Sequence, residues 1–199
     1  MKKIMFNDKY GLTQAVLEGR KTMTRRIING DYEDIKAFHA NGGWSFIADT
    51  NDGDSVELKA AYKEGEKVAI AQSYHSLNKS GYLAPEWLDH TCEDSAGYEN
   101  KMFVRADLMP HGIRITYIKV ERLQDISDED CIKEGIFEDA EEHGGLYTTP
   151  FYDFYGNDKN GFSSPREAYA ALIDRISGKG TWNRNPWVFA YDFKQIELE

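Results

Sequence analysis

Gly19-Arg20-Lys21-Thr22-Met23-Thr24-Arg25-Arg26 is the most cationic stretch of the chain, and it joins the first helix to the first long strand. Upstream, Leu12, Ala15 and Val16 recur at i, i+3 and i+4, one face of a short amphipathic helix over residues 11–18. Gly19 follows the last turn, where a positive φ favours glycine. Residues 23–28 read as extended. Lys21 and Thr24 are three apart, and side chains at that spacing in a regular strand point to opposite faces. They meet only across a turn or bulge. Cations and a hydroxyl gathered at such a junction suit an anionic or acyl-bearing ligand. The same residues also read as a solvated loop that balances nearby acids.

Outward from this junction the chain is rich in strands. Residues 4–6 read as a short strand, and 29–41 as a polar loop. Residues 44–48 and 56–62 are apolar or alternating around Asp52-Gly53, a strong hairpin signal. Gly65-Glu66-Lys67-Val68 opens a buried strand. Residues 76–100 carry no period, and 102–105 read as a short strand. Over residues 113–123, Ile113, Ile115, Tyr117 and, after a slip, Val120 alternate with polar residues. Ser127 caps a helix whose acids sit in the favoured first turn and which ends at Gly135. Residues 137–162 read as an acidic, Gly-rich, aromatic insertion. Ser164-Pro165-Arg166-Glu167 is a capping box with proline at the first helical position, and that helix stops at Gly178. A last strand runs over 187–196. This order predicts a small, mostly antiparallel barrel with helices at its ends, in one domain spanning 1–199.

The 199 residues carry a net charge of −10. Such a chain as a whole repels a polyanion, so any nucleic-acid contact is local, and residues 20–26 are its best place. No apolar run approaches the roughly 20 residues that span a bilayer. The N-terminus turns polar too early for a signal peptide. Two cysteines, Cys92 and Cys131, fit a reducing compartment. A cytoplasmic protein without a membrane partner is expected. The histidines are scattered; His90-Thr91-Cys92 is the only close His/Cys pair and lacks partners at zinc spacing, so neither a metal nor a cofactor is expected. There is no phosphate loop, dinucleotide fingerprint or Gly-x-Ser-x-Gly elbow. Cys131 falls inside a helix and reads as a core residue.

Lys21, Thr24 and a carboxylate remain. A threonine hydroxyl needs a base to become a nucleophile. A lysine serves when burial and neighbouring cations, here Arg20, Arg25 and Arg26, lower its pKa. Among the acids Glu134 stands out, because it sits in the last turn of its helix, where the dipole disfavours it.

Four segments resemble the ASCH family. Gly19-Arg20-Lys21-Thr22-Met23-Thr24 is similar to its G-x-K-x-x-T signature. Gly65-Glu66-Lys67-Val68 resembles its turn and strand. Residues 120–130 with Lys133-Glu134-Gly135-Ile136 resemble its strand-to-helix segment. Trp182 and Asn185-Pro186-Trp187-Val188 resemble the C-terminal end of a longer subgroup frequent in phage and prophage genomes. The resemblance implies an α+β fold, a PUA-like, mostly antiparallel β pseudo-barrel with flanking helices and with insertions at about 29–61, 76–101 and 137–163. It also implies deacetylation of N4-acetylcytidine by Lys21, Thr24 and Glu134. Arg25 departs from the short family hydrolase, which has an apolar residue there.

Three functions are open on the sequence. One is an amidohydrolase on an acylated nucleoside, with Arg20 or Arg26 steadying an oxyanion or phosphate. The second is a non-catalytic binder of single-stranded RNA or a modified nucleotide. It would contact phosphate through Arg20, Arg25 and Arg26 and stack a base on Tyr74, Trp44 or Trp182, rings whose plainer role is core packing. The third is a phage accessory protein acting through its insertions.

Overall fold

The computed structural model describes residues 1–40, 42–81, 94–143, 147–157 and 161–198; the His90-Thr91-Cys92 pair and residues 82–93 of the period-free stretch lie outside them. The protein is mixed α+β, with ten strands and five helices among the described residues. Five strands form the main sheet, in the order β1 (Lys3–Ile4), β6 (Lys67–Ile70), β7 (His111–Arg122), β10 (Trp187–Glu197) and β2 (Met23–Ile27). β1 pairs with β6 in parallel, and the other pairs are antiparallel.

The centre of this sheet is the β7–β10 pair. Its register shifts between Asp192 and Phe193, which face Tyr117 and Ile115, so that Thr116 is left over on β7. An extra residue inverts the alternation that follows it. Ile113 and Ile115 therefore point into the core, as expected, but the next buried residue is Ile118; Tyr117 is turned out, 43% exposed. The slip read from the sequence is real, and it falls one step earlier than the expected pattern, which kept Tyr117 inside.

Helices α1 (Leu12–Leu17), α3 (Asp128–Lys133) and α4 (Pro165–Ser177) bring apolar faces to this sheet. Leu12, Ala15 and Val16 are buried, as their spacing predicts. The hydroxyl of Ser127 accepts the Asp130 N–H at the start of α3. Ser164 does the same for Glu167 in α4, but the Glu167 carboxylate reaches back to Ser163, one residue earlier than a full capping box requires. Ala168, Tyr169, Leu172 and Ile173 form the buried face of α4.

Three segments depart from expectation. Residues 32–40 of the expected polar loop are not a loop. They hold β3 (Tyr32–Ala40), the edge of a three-stranded sheet with β4 (Gly43–Thr50) and β5 (Ser55–Leu58). Over residues 32–39 of this edge strand only Ile35 is fully buried, and it reads as polar loop because both its faces are mostly solvated. The Asp52-Gly53 turn between β4 and β5 is as expected, with Gly53 at φ 83°. Residues 137–162 contain a hairpin, β8 (Phe137–His143) with β9 (Tyr147–Asp153). Residues 102–105 are not a strand: Lys101–Phe103 is a 3-10 turn, because the Asn100 side chain accepts the Met102 N–H and curls the backbone. The period-free stretch from 76 starts inside α2 (Tyr74–Lys79), capped by Ser73. A four-residue α5 (Thr181–Arg184) precedes the last strand. Among the described residues, no helix is long and apolar enough to cross a membrane.

The small sheet is fastened to the main core through Phe46, 1% exposed, whose ring meets Phe189 edge-on at 4.9 Å. We expect Phe46→Ala to cost about 3–5 kcal/mol, as deletion of a fully buried aromatic ring does. The urea midpoint checks it. A loss below about 1 kcal/mol would mean that the small sheet contributes nothing to the common core.

Candidate functional site

The cationic junction is pinned at both ends by backbone bonds. Lys21 N–H donates to the Ala15 carbonyl of α1, and Thr22 N–H to the Lys133 carbonyl of α3, each at 2.9 Å. β2 begins only at Met23. Lys21 thus lies in the turn ahead of the strand, while Thr24 lies within it, opposite Tyr191 of β10. This is the irregular junction that lets residues three apart share one cavity. That cavity, about 210 Å³, is lined by Lys21, Thr24, Arg25, Arg26 and Glu134, and by an apolar wall that includes Phe6, Leu123 and Leu172.

Lys21 is 2% exposed and Glu134 5%. The Lys21 ammonium donates to Glu134 Oε2 at 2.6 Å and to the Glu134 main-chain carbonyl at 2.7 Å. Glu134 is the C-cap residue of α3, with Gly135 following at φ 107°. The oddly placed acid is thus explained: a cation sits at the carbonyl end of the helix, where the dipole favours it, and the carboxylate closes the pair. Burial pushes the Lys21 pKa down from its ordinary value; Glu134 pulls the other way, and Arg26 and Arg25 add to the lowering. An ammonium has three protons to donate, and two are used on Glu134. Phe6 presents its ring face to Nζ at 5.8 Å.

Thr24 is 5% exposed, and its hydroxyl makes no hydrogen bond to any described residue. No hydrogen bond joins it to Lys21. Such contacts often tighten only when a ligand arrives.

Arg25 is placed differently from the expectation of a ligand-binding cation. Its side chain is 1% exposed and is enclosed by three carboxylates: Glu121 at 2.7 Å, Asp130 at 3.0 Å and Glu134 at 3.1 Å. Glu121 and Asp130 also hold Lys119, at 2.9 and 3.0 Å, and Asp130 holds Lys133 at 3.0 Å. Burial works to raise the Asp130 pKa, but hydrogen bonds from Lys119 and Lys133 and the charge of Arg25 outweigh it and hold the carboxyl down at about 2. Sequence reasoning assigned Asp130 only to the helix dipole and gave Glu121 no role. Their signal was the i, i+2 pair Lys119/Glu121, which an extended strand sets on one face.

The remaining candidates separate. Arg26 lines the cavity, half-buried, donating to the Met5 carbonyl at 2.9 Å. Arg20 points away: it pairs with Glu18 at 2.5 Å and lines a second cleft on the far side of α1, with Gln14 and Tyr155. Tyr74 is buried in a separate apolar cluster with Leu77 and Val104, and its hydroxyl accepts the Arg105 N–H, so it is not part of the site. Trp44 and Trp182 pack against the core, Trp44 donating to Glu64. Cys131 is fully buried with its thiol pushed up to about 12 by burial, an inert core residue. Among the described residues, no group of three His, Cys, Asp or Glu side chains is arranged to hold a metal ion.

The Asp130 shift fixes a stability profile. Its folded pKa lies below the ordinary 3.8, so the stabilisation is complete above about 4 and is lost as pH falls towards about 2. Urea midpoints at pH 7, 4, 3 and 2 should fall less steeply for Asp130→Asn than for the wild type. Parallel curves would refute this. Family models, curated proteins and solved structures all give no match to the chain.

Proposed function

We propose that the chain is an ASCH-type amidohydrolase of PUA-like pseudo-barrel fold that removes an acyl group from a modified nucleoside such as N4-acetylcytidine. The observation that carries the proposal is the buried Lys21–Glu134 pair, 2.6 Å apart, in one cavity with the unengaged hydroxyl of Thr24. These are the three residues that the family resemblance implies. The strands of the main sheet, with helices against it, support the pseudo-barrel reading. A cavity of about 210 Å³ is below the roughly 300 Å³ at which drug-sized ligand sites begin, and suits one base with a small acyl group.

In this reading neutral Lys21 takes the Thr24 proton as Oγ1 attacks the acyl carbon. The tetrahedral oxyanion is met by the Arg26 guanidinium at the cavity wall. Collapse breaks the C–N bond, and the Lys21 ammonium returns its proton to the departing amine. Water then attacks the threonyl ester with Lys21 again as base, releasing the carboxylic acid and free Thr24. Glu134 orients the amine throughout.

A second reading, a non-catalytic reader of the modified base, is favoured by the resting state of Lys21. Its ammonium is well held by two acceptors and keeps one N–H for a ligand.

Turnover separates the two. We expect purified protein to hydrolyse N4-acetylcytidine, and Thr24→Ala to lower kcat by about 10³-fold or more. Because Lys21 must be neutral and its pKa lies below the ordinary 10.5, kcat/KM should rise with pH along a limb centred below that value. Equal background rates for wild type and Thr24→Ala, together with measurable binding, would leave the reader.

A further inference from the structure

The proposed hydrolase leaves unexplained why an arginine occupies the buried interior beside it. Arg25 has no need of a ligand, since every side of its guanidinium is engaged. Nε and Nη2 reach Glu121 at 2.9 and 2.7 Å, Nη2 reaches Asp130 at 3.0 Å, and Nη1 reaches Glu134 Oε1 at 3.1 Å. The last contact matters most. Glu134 divides its two oxygens, Oε2 to Lys21 and Oε1 to Arg25. One carboxylate is thus shared between two buried cations.

The reach of Arg25 follows from its place in the sheet. On β10 its partner is Ala190, which in turn faces Lys119 of β7. Paired residues of neighbouring strands share a face, and a methyl group between Arg25 and Lys119 leaves the guanidinium room to cross towards β7 and α3.

We propose that Arg25 is a positioning residue for Lys21: it fixes the Glu134 carboxylate in the orientation that grips the amine, and it takes up the carboxylate oxygen that Lys21 leaves unused. The consequence for titration rests on the amidohydrolase reading only where it touches rate; the electrostatic part stands without it. The charges that act on Lys21 come from several sides. Glu134 closes the end of α3, and Arg25 and Arg26 come from β2. Behind Arg25 stand Asp130 of α3 and Glu121 and Lys119 of β7, with Lys133 beside Asp130. Tyr169 of α4 is buried against Glu134 and Arg25 and stays protonated, and the Asp192 carboxyl of β10 is shifted up by its own burial. Of these, Arg25 alone touches the oxygen that Lys21 does not use. Glu121 and Asp130 moderate its charge, and the half-exposed Lys119 and Lys133 moderate theirs in turn.

The test reads the Lys21 titration directly, in protein labelled with ¹³C and ¹⁵N at lysine, with the Lys21 signal assigned by its loss in Lys21→Met. Arg25→Met should raise the midpoint by about one pH unit or more, since an unshared carboxylate then faces the amine. Arg25→Lys, which keeps a charge but not the fork, should fall between Arg25→Met and the wild type. Glu121→Gln, at a partly open position, strengthens the hold of Arg25 on Glu134 and should move the midpoint down; it decides the matter if Arg25→Met fails to fold. A Lys21 midpoint unmoved in every folded variant overturns the proposal and leaves Arg25 with a purely structural role. If the hydrolase reading is also right, kcat/KM at pH 7 falls about tenfold for each unit of upward shift. Absence of turnover with the titration shifts intact would sink the hydrolase and not the role of Arg25.

Discussion

Two cations buried together can be held only if enough negative charge is brought to them. Lys21 and Arg25 are both almost wholly removed from water, and moving an isolated ion into such a site costs several kcal/mol even after relaxation. The protein meets this with three carboxylates from two different elements: Glu121 on β7, and Asp130 and Glu134 on or beside α3. The network is therefore also a joint. It ties the first long strand to the centre of the sheet and to a helix that lies more than a hundred residues along the chain.

The placement of that joint depends on backbone geometry rather than on the charges themselves. The junction before β2 is clamped to the ends of α1 and α3 by main-chain bonds, which fixes Lys21 before its side chain chooses a partner. α3 stops at Glu134 because Gly135 takes a positive φ, so the last carbonyl is left free to accept the lysine. On the other side, the extra residue on β7 reverses the alternation after Ile115. Ile118 then faces the core while Lys119 and Glu121 face the buried arginine. Without that bulge Tyr117, Lys119 and Glu121 would share the core face of Ile113 and Ile115, and Arg25 would lose a partner. A local irregularity and a buried ion cluster thus support one another.

The apolar side of the cavity belongs to the same construction. Leu172 and Ile173 of α4 and Phe6 beyond β1 close it against solvent, and this is what lowers the proton affinity of Lys21 in the face of a carboxylate at hydrogen-bond distance. Burial and ion pairing act in opposite directions on the same amine. The balance, set by how dry the cavity is and how far the Glu134 charge is shared, governs whether the lysine acts as a base or as a held cation.

Much of this was legible in the sequence, and the limits have physical causes. The helix of Leu12, Ala15 and Val16, the Ser127 and Ser164 caps, the Asp-Gly hairpin and the long strand from Ile113 are local signals, each contained within a few residues. Lys21 and Thr24 stood out because they share one short segment, and Glu134 because it defied the helix dipole. The polar strand over Tyr32–Ala40 was hidden, since an edge strand solvated on both faces has no alternation to show. Arg25 looked like a surface cation, because nothing in its neighbourhood along the chain announces Glu121 or Asp130. The sequence by itself determined the locally signalled elements, the capped helices, the Asp-Gly hairpin and the long central strand, and singled out Lys21, Thr24 and Glu134 as candidates. Only the tertiary structure decided which charges meet, because ion pairing in a dry interior acts through distances across the sheet, and these are fixed by strand register, a bulge and the end of a helix.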